Sequence, residues 1–262
     1  MGDAVTTVAI VQARMGSARL PAKVMSPILG VPMIELLLRR LERARRLDRI
    51  TLATSIDPRN VPLAAHVRGL GYDVYLGSED DVLDRYYQAA LASRPDTVVR
   101  ITGDCPLVDP EIVDRVVDAY HAEGAEYASN TNPPTYPDGL DVEVFSFRGL
   151  AQAADQARHP FEREHVTVFL RESGCFKTVN VTSALDSSSE RWTVDEPEDL
   201  EVVSAVFNHF SPRIDFGWEE VLALRQSRPE LFEMNRHISR NQGAVLTPEQ
   251  KIQKRAERHQ SR

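Results

Sequence analysis

The chain has 262 residues, of which 42% are hydrophobic, so it can bury one sizeable core, and we expect a single domain over residues 1–242. Its formal charge of −8 argues against nucleic acid or an anionic membrane as a partner, because the mean field of the protein repels both. The sequence contains no apolar run of the roughly 20 residues that a membrane helix needs and no signal-peptide pattern, so we expect a cytoplasmic protein.

The first two thirds of the sequence alternate short apolar runs with amphipathic stretches. Strands are predicted for "TTVAIVQA", "ITLATS", "DVYLG" and "TVVRITGD", and helices for residues 33–47, 58–69 and 81–93. We interpret the arginine-rich face of the helix over 33–47 as solvated rather than as a nucleic-acid patch. Alternating strands and helices predict an α/β fold, with a mostly parallel sheet flanked by helices.

The pattern changes after residue 123. A turn-rich "NPPTYPDG" precedes "LDVEVFSF", whose alternation suits a half-buried strand, and residues 124–182 are expected to form a small inserted wall of a cleft. A helix is predicted from Pro160 through "FEREHVTVFLRES", a return to the sheet at "FKTVNVT", and a helix over 197–209 with Pro197 in its first turn. Residues 243–262 are polar and basic, so we expect a flexible tail.

The loop after the first strand is rich in cations. It carries Gly16 and Ser17 together with Arg14, Arg19 and Lys23, at the strand end where open α/β sheets bind ligands. Its spacing matches neither the dinucleotide fingerprint nor the Walker loop. Two arginines can fork onto phosphate oxygens while a lysine adds a point charge. A surface loop with unpaired cations explains the charge and the glycine equally well.

The order A-R-x-x-S-x-R-x-P-x-K in this loop resembles the opening motif of the cytidylyltransferases that make CMP-activated sugars. The likeness extends over about residues 6 to 240 and is greatest to the spore-coat polysaccharide biosynthesis branch. It implies a nucleotide-diphospho-sugar transferase (Rossmann-like) fold. It also implies that Ala13, Arg14, Ser17, Arg19 and Lys23 bind the nucleotide, with Lys23 and Arg19 acting most in the transition state.

Two aspartates follow predicted strands. Asp104 lies in "RITGDCPLVDP" and Asp195 in "RWTVDEPEDL". A triphosphate needs a divalent cation, and a hard metal such as Mg²⁺ takes carboxylate oxygens, although a helix-capping role also accounts for each aspartate alone. The segments G-D-x-P and V-D-x-P-E-D-L resemble those that carry the family's two metal-binding aspartates. The resemblance therefore implies that Asp104 and Asp195 bind Mg²⁺ and that Asp104 is catalytic.

Two residues near Asp104 allow more than one interpretation. Arg100 either contacts the nucleotide or substrate or pairs with an acid. Cys105 resembles a nucleophile by position, but the sequence supplies no base for it, and we interpret it as a packing residue. Neither Cys105 nor the other cysteine, Cys175, has the spacing of a zinc site.

The segment "PDGLDVEVF" carries two acids on one face. Asp141, Glu143 and Phe145 alternate with two valines, and periodicity alone favours a solvated face. The branch has a similar Y-P-D-G-x-D-V-E segment. That resemblance implies instead that Asp141 and Glu143 line the acceptor pocket.

Two further stretches carry secondary candidates. An N-cap at Asp81 and an intrahelical pair with Arg85 explain much of "DDVLDRY", but a similar run in the branch implies that Asp84 and Arg85 lie near the nucleotide. His165 is either a base or substrate contact or a hydrogen-bonded residue at a subunit interface. The resemblance also implies a homodimer.

These observations predict a Mg²⁺-dependent nucleotidyltransferase. It moves CMP from CTP to a sugar, a sugar acid or a small phosphorylated acceptor and releases pyrophosphate. One alternative is a metal-dependent glycosyltransferase of the same fold, which usually carries Asp-x-Asp where this chain has Asp104-Cys105-Pro106. Another is a non-catalytic nucleotide-binding protein. The sequence does not distinguish a cytosine pocket from a guanine pocket.

Overall fold

The computed structural model describes residues 5–240, and the elements below lie in that range. The strands are β1 (Thr7–Gln12), β2 (Pro27–Ile28), β3 (Val31–Pro32), β4 (Arg49–Ser55), β5 (Asp73–Gly77), β6 (Thr97–Thr102), β7 (Tyr127–Ser129), β8 (Glu143–Ser146) and β9 (Thr178–Asn180). The α-helices are α1 (Met33–Leu41), α2 (Val61–Gly69), α3 (Val82–Ser93), α4 (Pro110–Ala122), α5 (Phe147–Gln156), α6 (Pro160–Glu164), α7 (Val168–Glu172), α8 (Pro197–Phe210) and α9 (Trp218–Ser227). No helix in this range combines the length and the apolar character of a membrane span.

One seven-stranded sheet organises the fold, in the order β5-β4-β1-β6-β8-β7-β9. β5, β4, β1 and β6 are parallel neighbours, whereas β8 is antiparallel to β6 and β7. Side chains of β1 alternate between two apolar cores, with Ala9 and Val11 packed on one face of the sheet and Val8 and Ile10 on the other. The predicted α/β class, a mostly parallel sheet flanked by helices, is confirmed.

Two predicted helices are shorter than their patterns suggest. The helix expected over 33–47 ends at Leu41, and the carboxylate of Asp114 on α4 accepts the backbone N–H groups of Arg45 and Arg46 instead. The helix expected from Pro160 is divided into α6 and α7 by Val166, whose φ is 56°. A left-handed residue cannot continue an α-helix, so the periodic pattern does not produce one long element. The helix predicted over 197–209 is confirmed as α8.

The solvated face expected from the alternation around β8 is wrong. Glu143 is 5% exposed and Phe145 is fully buried. β8 lies inside the sheet between β6 and β7, and its successive side chains Val144 and Phe145 pack into the two cores on opposite faces of the sheet, so both of its faces are covered. Residues 124–182 thus supply strands to the main sheet. The inserted wall and the domain limits stay predictions, and the tail over 243–262 lies outside the described residues.

A buried arginine ties the carboxyl-terminal helices to the sheet. Arg40 of α1 is 1% exposed, donates to the carbonyls of Leu107, Val108 and Ile214, and lies 4.4 Å from the ring centre of Phe216. Burial lowers the pKa of Arg40 to about 10, so the side chain is a cation at neutral pH. The peptide before α9 is thereby fixed against α1.

The carboxyl ends of β1 and β6 meet closely at Gly103. Its N–H donates to the carbonyl of Gln12 at 2.7 Å, and a Cβ atom at Gly103 would lie 2.6 Å from the Cβ of Ala13. Only a residue without a side chain allows the two strand ends this close together. The loop after β1 and the turn after β6 therefore begin side by side.

Candidate active site

The cation-rich loop after β1 is anchored to the sheet rather than free. Its Met15 N–H donates to Asn60 Oδ1 at 2.8 Å, and Asn60 Nδ2 donates to Ser55 Oγ at 2.7 Å. The N–H of Ala22 returns to the carbonyl of Met15 at 3.0 Å. Ala22 has a φ of 58°, and the turn that follows directs Lys23 into the protein, where it is 8% exposed. Loop geometry thus places Lys23 beneath the loop.

Lys23 connects the two predicted metal ligands. Its Nζ donates to Asp104 Oδ2 at 3.1 Å, to Asp195 Oδ1 at 2.8 Å and to the carbonyl of Val194 at 2.7 Å. Burial alone lowers the pKa of Lys23, but the carboxylates of Asp104 and Asp195 outweigh it and raise that pKa. The structure therefore brings together residues that are more than 80 positions apart in the sequence.

The two loop arginines are paired as well. Arg19 lies 3.1 Å from Asp195 and 3.0 Å from Glu196, and Arg14 lies 2.8 Å from Glu79. The alternative of a loop with unpaired cations is therefore wrong. Both arginine side chains are more than a third exposed, and exposed ion pairs of this kind contribute little to stability. Their guanidinium groups remain accessible to an anion.

The two aspartates are held by backbone pairing. The N–H of Val194 donates to the carbonyl of Asp104 at 2.8 Å, and Thr193 Oγ1 donates to the same carbonyl at 3.3 Å. Burial raises the pKa of the Asp104 carboxyl, but the charge of Lys23 outweighs it, and the pKa lies below its usual value. Both carboxylates thus approach one point from adjoining segments.

Asp199, which the sequence analysis did not select, fixes the segment that carries Asp195. Its buried carboxylate accepts five hydrogen bonds, two from Arg191, two from the N–H groups of Asp195 and Glu196, and one from Asn235. A signal for this residue was available. Asp199 is the third residue of α8, where an acid that closes a capping box is expected in "DEPED".

These residues fit a divalent metal. The ammonium of Lys23 already marks a point within 3.1 Å of two carboxylate oxygens, which is a position suited to a cation. Both donors are hard oxygens, and Mg²⁺ is usually held by one or two carboxylates together with substrate phosphates. Asp104 and Asp195 are the residues that would hold it.

Beside Asp104, the segment between β7 and β8 carries more acids. Asp141 accepts a hydrogen bond from Arg240 at 2.6 Å, and Asp138 lies 3.3 Å from Arg191. Burial, and then the charge of Asp141, raise the pKa of Asp138 to about 6. The segment turns at Gly139, whose φ of 109° is a conformation that suits glycine. Asp141 therefore faces cations near the candidate metal ligands.

Glu143 is committed to partners within the protein. Tyr127 Oη and Thr167 Oγ1 each donate to Glu143 Oε1 at 2.6 Å, and the Arg100 guanidinium pairs with the other oxygen. Burial raises the pKa of Glu143, but Arg100 outweighs it, and the carboxyl stays ionised. Of the two interpretations of Arg100, pairing with an acid is therefore observed. The predicted contacts of Glu143 and Arg100 with ligands stay predictions.

The secondary candidates occupy other environments. Asp81 caps α3 by accepting from the N–H of Asp84 at 2.9 Å, but it pairs with Arg163 of α6 rather than with Arg85. Arg85 is buried and donates to the carbonyl of Ser78. The ring of His165 lies 4.2 Å from that of Phe161. The predicted intrahelical pair is wrong, and the ligand contacts of Arg85 and His165 stay predictions.

Cys105 fits the packing interpretation. Its thiol is buried, and burial together with the negative charge of Asp104 raises its pKa well above the usual value. A thiol in this environment stays protonated at neutral pH and is a poor nucleophile.

Comparisons with known proteins give a family match and several similar proteins. A family model described as cytidylyltransferase matches residues 8–215. The spore coat polysaccharide biosynthesis protein SpsF of Bacillus subtilis (strain 168) is 32% identical over 229 residues, which is 84% of this chain and 94% of that protein. A 3-deoxy-manno-octulosonate cytidylyltransferase of Anaeromyxobacter dehalogenans (strain 2CP-1) is 36% identical over 126 residues, which is 47% of this chain and 50% of that protein.

A solved structure extends the likeness to three dimensions. The structure of a cytidylyltransferase from Leptospira borgpetersenii superposes with a TM-score of 0.83 at 28% identity, and the match covers 93% of this chain and all of the other. The nucleotidyltransferase fold that the sequence predicted is thereby confirmed.

Proposed function

The chain is a nucleotidyltransferase of the cytidylyltransferase family, and we propose that it moves CMP from CTP to a sugar, a sugar acid or a small phosphorylated acceptor. In this reaction an oxygen of the acceptor attacks the α-phosphorus in line. A new oxygen–phosphorus bond forms while the bond to the β-phosphate breaks, and pyrophosphate leaves. The single observation that carries the proposal is the meeting of Lys23, Asp104 and Asp195 at one point beneath an arginine-rich loop.

Each part of the site has a role that its chemistry suits. Arg14 and Arg19 are accessible guanidinium groups that can fork onto phosphate oxygens, and Lys23 supplies a compact positive charge from below. Asp104 and Asp195 would hold Mg²⁺, which when bound supplies charge neutralisation and polarises the phosphoryl oxygen. Catalysis would come from positioning and electrostatic stabilisation, because the transfer needs no covalent intermediate with the protein.

The acceptor is proposed to bind on the side of Asp141. That segment lies next to Asp104, and its acids and arginines provide acceptors and donors for hydroxyl groups or for a charged substituent. Ser17, Ala13 and Arg85 are proposed to contribute to the nucleotide side. We also propose that the protein is cytoplasmic and forms a homodimer. Sedimentation of the purified chain would test the homodimer.

The first experiment is pyrophosphate release with each of the four nucleoside triphosphates, with Mg²⁺, against nonulosonic acids, sugar phosphates and small phosphorylated metabolites. Of the four nucleotides, we expect only CTP to support pyrophosphate release. Consumption of a nucleotide sugar without pyrophosphate would favour the glycosyltransferase alternative. A chain that binds no nucleotide by calorimetry would overturn the proposal.

A matched pair of variants tests the metal ligand. Asp104→Asn should lower kcat by at least about 100-fold, because metal stabilisation of phosphoryl charge is worth several kcal/mol and each tenfold is 1.36 kcal/mol. Asp118→Asn makes the same change on an aspartate of α4 that is 53% exposed and paired with Arg46, and should leave kcat unchanged. Wild-type turnover in Asp104→Asn would contradict the assignment.

A further inference from the structure

The three cations of the loop differ in what they pair with. Lys23 pairs with both candidate metal ligands, Arg19 pairs with Asp195 and Glu196, and Arg14 pairs with Glu79. Within residues 5–240, Lys23 is the side chain that places a positive charge between Asp104 and Asp195. The Nζ atom of Lys23 thus contacts the two carboxylates to which the proposed function assigns a metal.

We infer that Lys23 excludes the metal from Asp104 and Asp195 until a nucleoside triphosphate binds, so that metal and nucleotide enter the site together. The inference rests on the proposed function, because it takes the same two carboxylates as the metal ligands. It goes beyond that proposal in assigning to Lys23 a role before catalysis, as the internal counterion of Asp104 and Asp195.

The hydrogen bonds of Lys23 leave no capacity for a phosphate. An ammonium group has three N–H donors, and here they are directed to Asp104, Asp195 and the carbonyl of Val194. A phosphate oxygen can therefore be bound only if at least one of these acceptors is released. When Lys23 turns to a phosphate, one or both carboxylates lose the positive charge that neutralised them.

Charge explains why the two ligands should enter together. A divalent cation that binds alone meets the ammonium of Lys23 at hydrogen-bond distance from the same carboxylates, and like charges in a mostly buried site repel strongly. A triphosphate that binds alone places phosphate charge beside carboxylates that have lost their partner. When both bind, Lys23 exchanges carboxylates for phosphate and every charge stays paired.

This exchange is a thermodynamic coupling, so it must be reciprocal. If nucleotide tightens metal binding by some factor, metal tightens nucleotide binding by the same factor. The coupling should depend on Lys23 and not on positive charge in the loop as such. Arg59 provides the matched control, because its guanidinium lies beside Gly16 of the loop but pairs with Asp57, and the proposed function assigns it no ligand.

The experiment measures Mn²⁺ binding by electron paramagnetic resonance in the full chain, without acceptor, with and without CTP. The proteins are wild type, Lys23→Met and Arg59→Met. Without CTP, we expect Lys23→Met to bind Mn²⁺ at least tenfold more tightly than wild type, and Arg59→Met to bind it within twofold of wild type. CTP should tighten Mn²⁺ binding at least tenfold in wild type and less than threefold in Lys23→Met.

Several outcomes would overturn the inference. One is equal Mn²⁺ affinity of wild type and Lys23→Met without CTP, and another is an equal rise in Mn²⁺ affinity in Arg59→Met. If circular dichroism shows that Lys23→Met does not fold, Lys23→Gln replaces it. The wild type alone remains decisive, because Mn²⁺ affinity that is unaffected by CTP would refute the coupling.

Failure of the inference is distinct from failure of the proposed function. If wild type releases pyrophosphate but CTP does not change its Mn²⁺ affinity, the proposed reaction is supported and the role of Lys23 is refuted. If the coupling between Mn²⁺ and CTP binding depends on Lys23 but no acceptor supports pyrophosphate release, the role of Lys23 is supported and the proposed reaction is refuted.

Discussion

Replacing Asp199 by asparagine tests whether the buried network around Arg191 supports the candidate metal site. The carboxylate is fully buried, and each of its oxygens accepts more than one hydrogen bond. Oδ1 accepts from Arg191 Nε and Asn235, while Oδ2 accepts from Arg191 Nη2 and two backbone N–H groups. Asparagine has one oxygen and one NH₂ group, so at least two donors would face another donor.

The expected cost follows from these contacts. The side chain of Arg191 is 6% exposed, and its other carboxylate contacts are longer, at 3.3 Å to Asp138 and 3.4 Å to Asp195. Removing one partner of a buried ion pair costs about 3–5 kcal/mol, and each unsatisfied buried donor costs about 1–3 kcal/mol. We therefore expect Asp199→Asn to lower the free energy of unfolding by about 3–5 kcal/mol.

Urea unfolding, followed by circular dichroism at neutral pH, measures this loss. Glu233→Gln is the control, since Glu233 pairs with Arg236 on the surface and its side chain is 48% exposed. Exposed pairs are worth about 0–1 kcal/mol, so the control should unfold close to wild type. A loss in Asp199→Asn no larger than in Glu233→Gln would refute the reasoning.

Two further predictions concern the segment beside Asp104. Gly139→Ala should lower the free energy of unfolding by at least about 2 kcal/mol more than Gly174→Ala. Both glycines have a positive φ, but a Cβ atom at Gly139 would lie 2.6 Å from the backbone of Trp192 and Thr193, whereas a Cβ atom at Gly174 would have nothing within 4 Å. Thermal unfolding compares the two variants, and equal losses of stability would contradict the clash. The pKa of the Asp138 carboxyl is raised to about 6 from 3.8, so its protonation stabilises the folded state. This stabilisation is fully present below pH 4 and is lost as the pH rises through 6. The unfolding free energy of Asp138→Asn relative to wild type should therefore increase by about 1–3 kcal/mol from pH 4 to pH 7, and a flat or falling difference in urea titrations would contradict this sign.

The sequence predicted the parts of the site that depend on local pattern. β1, β4, β5 and β6 have clear apolar runs, and the carboxyl ends of parallel strands share one edge of the sheet. The loop with Lys23 and the turn with Asp104 were therefore expected near each other. The resemblance implied that Asp104 and Asp195 bind one metal, but the hydrogen bonds from Lys23 to both aspartates are visible only in the structure.

The remaining features depend on contacts between distant segments. The periodic pattern after residue 41 continues, but Asp114 captures the backbone that a longer α1 would need. Alternation around Glu143 suggested solvent on one face, because a pattern of two acids does not reveal that Thr167 and Arg100 will cover it. Asp199 was overlooked for a related reason, since its capping role is local but its bonds to Arg191 are not.

The Arg40 contacts bear on where this chain can be shortened. A protein cut after residue 215 keeps the carbonyl of Ile214 but loses Phe216, the ring that covers the guanidinium, and Trp218, whose N–H donates to Asp109 at 2.7 Å. In such a product the guanidinium of Arg40 has lost its aromatic neighbour and is exposed to water on that side. A shortened protein for recombinant production should therefore include Phe216 and α9 and should not end directly after the last strand, β9.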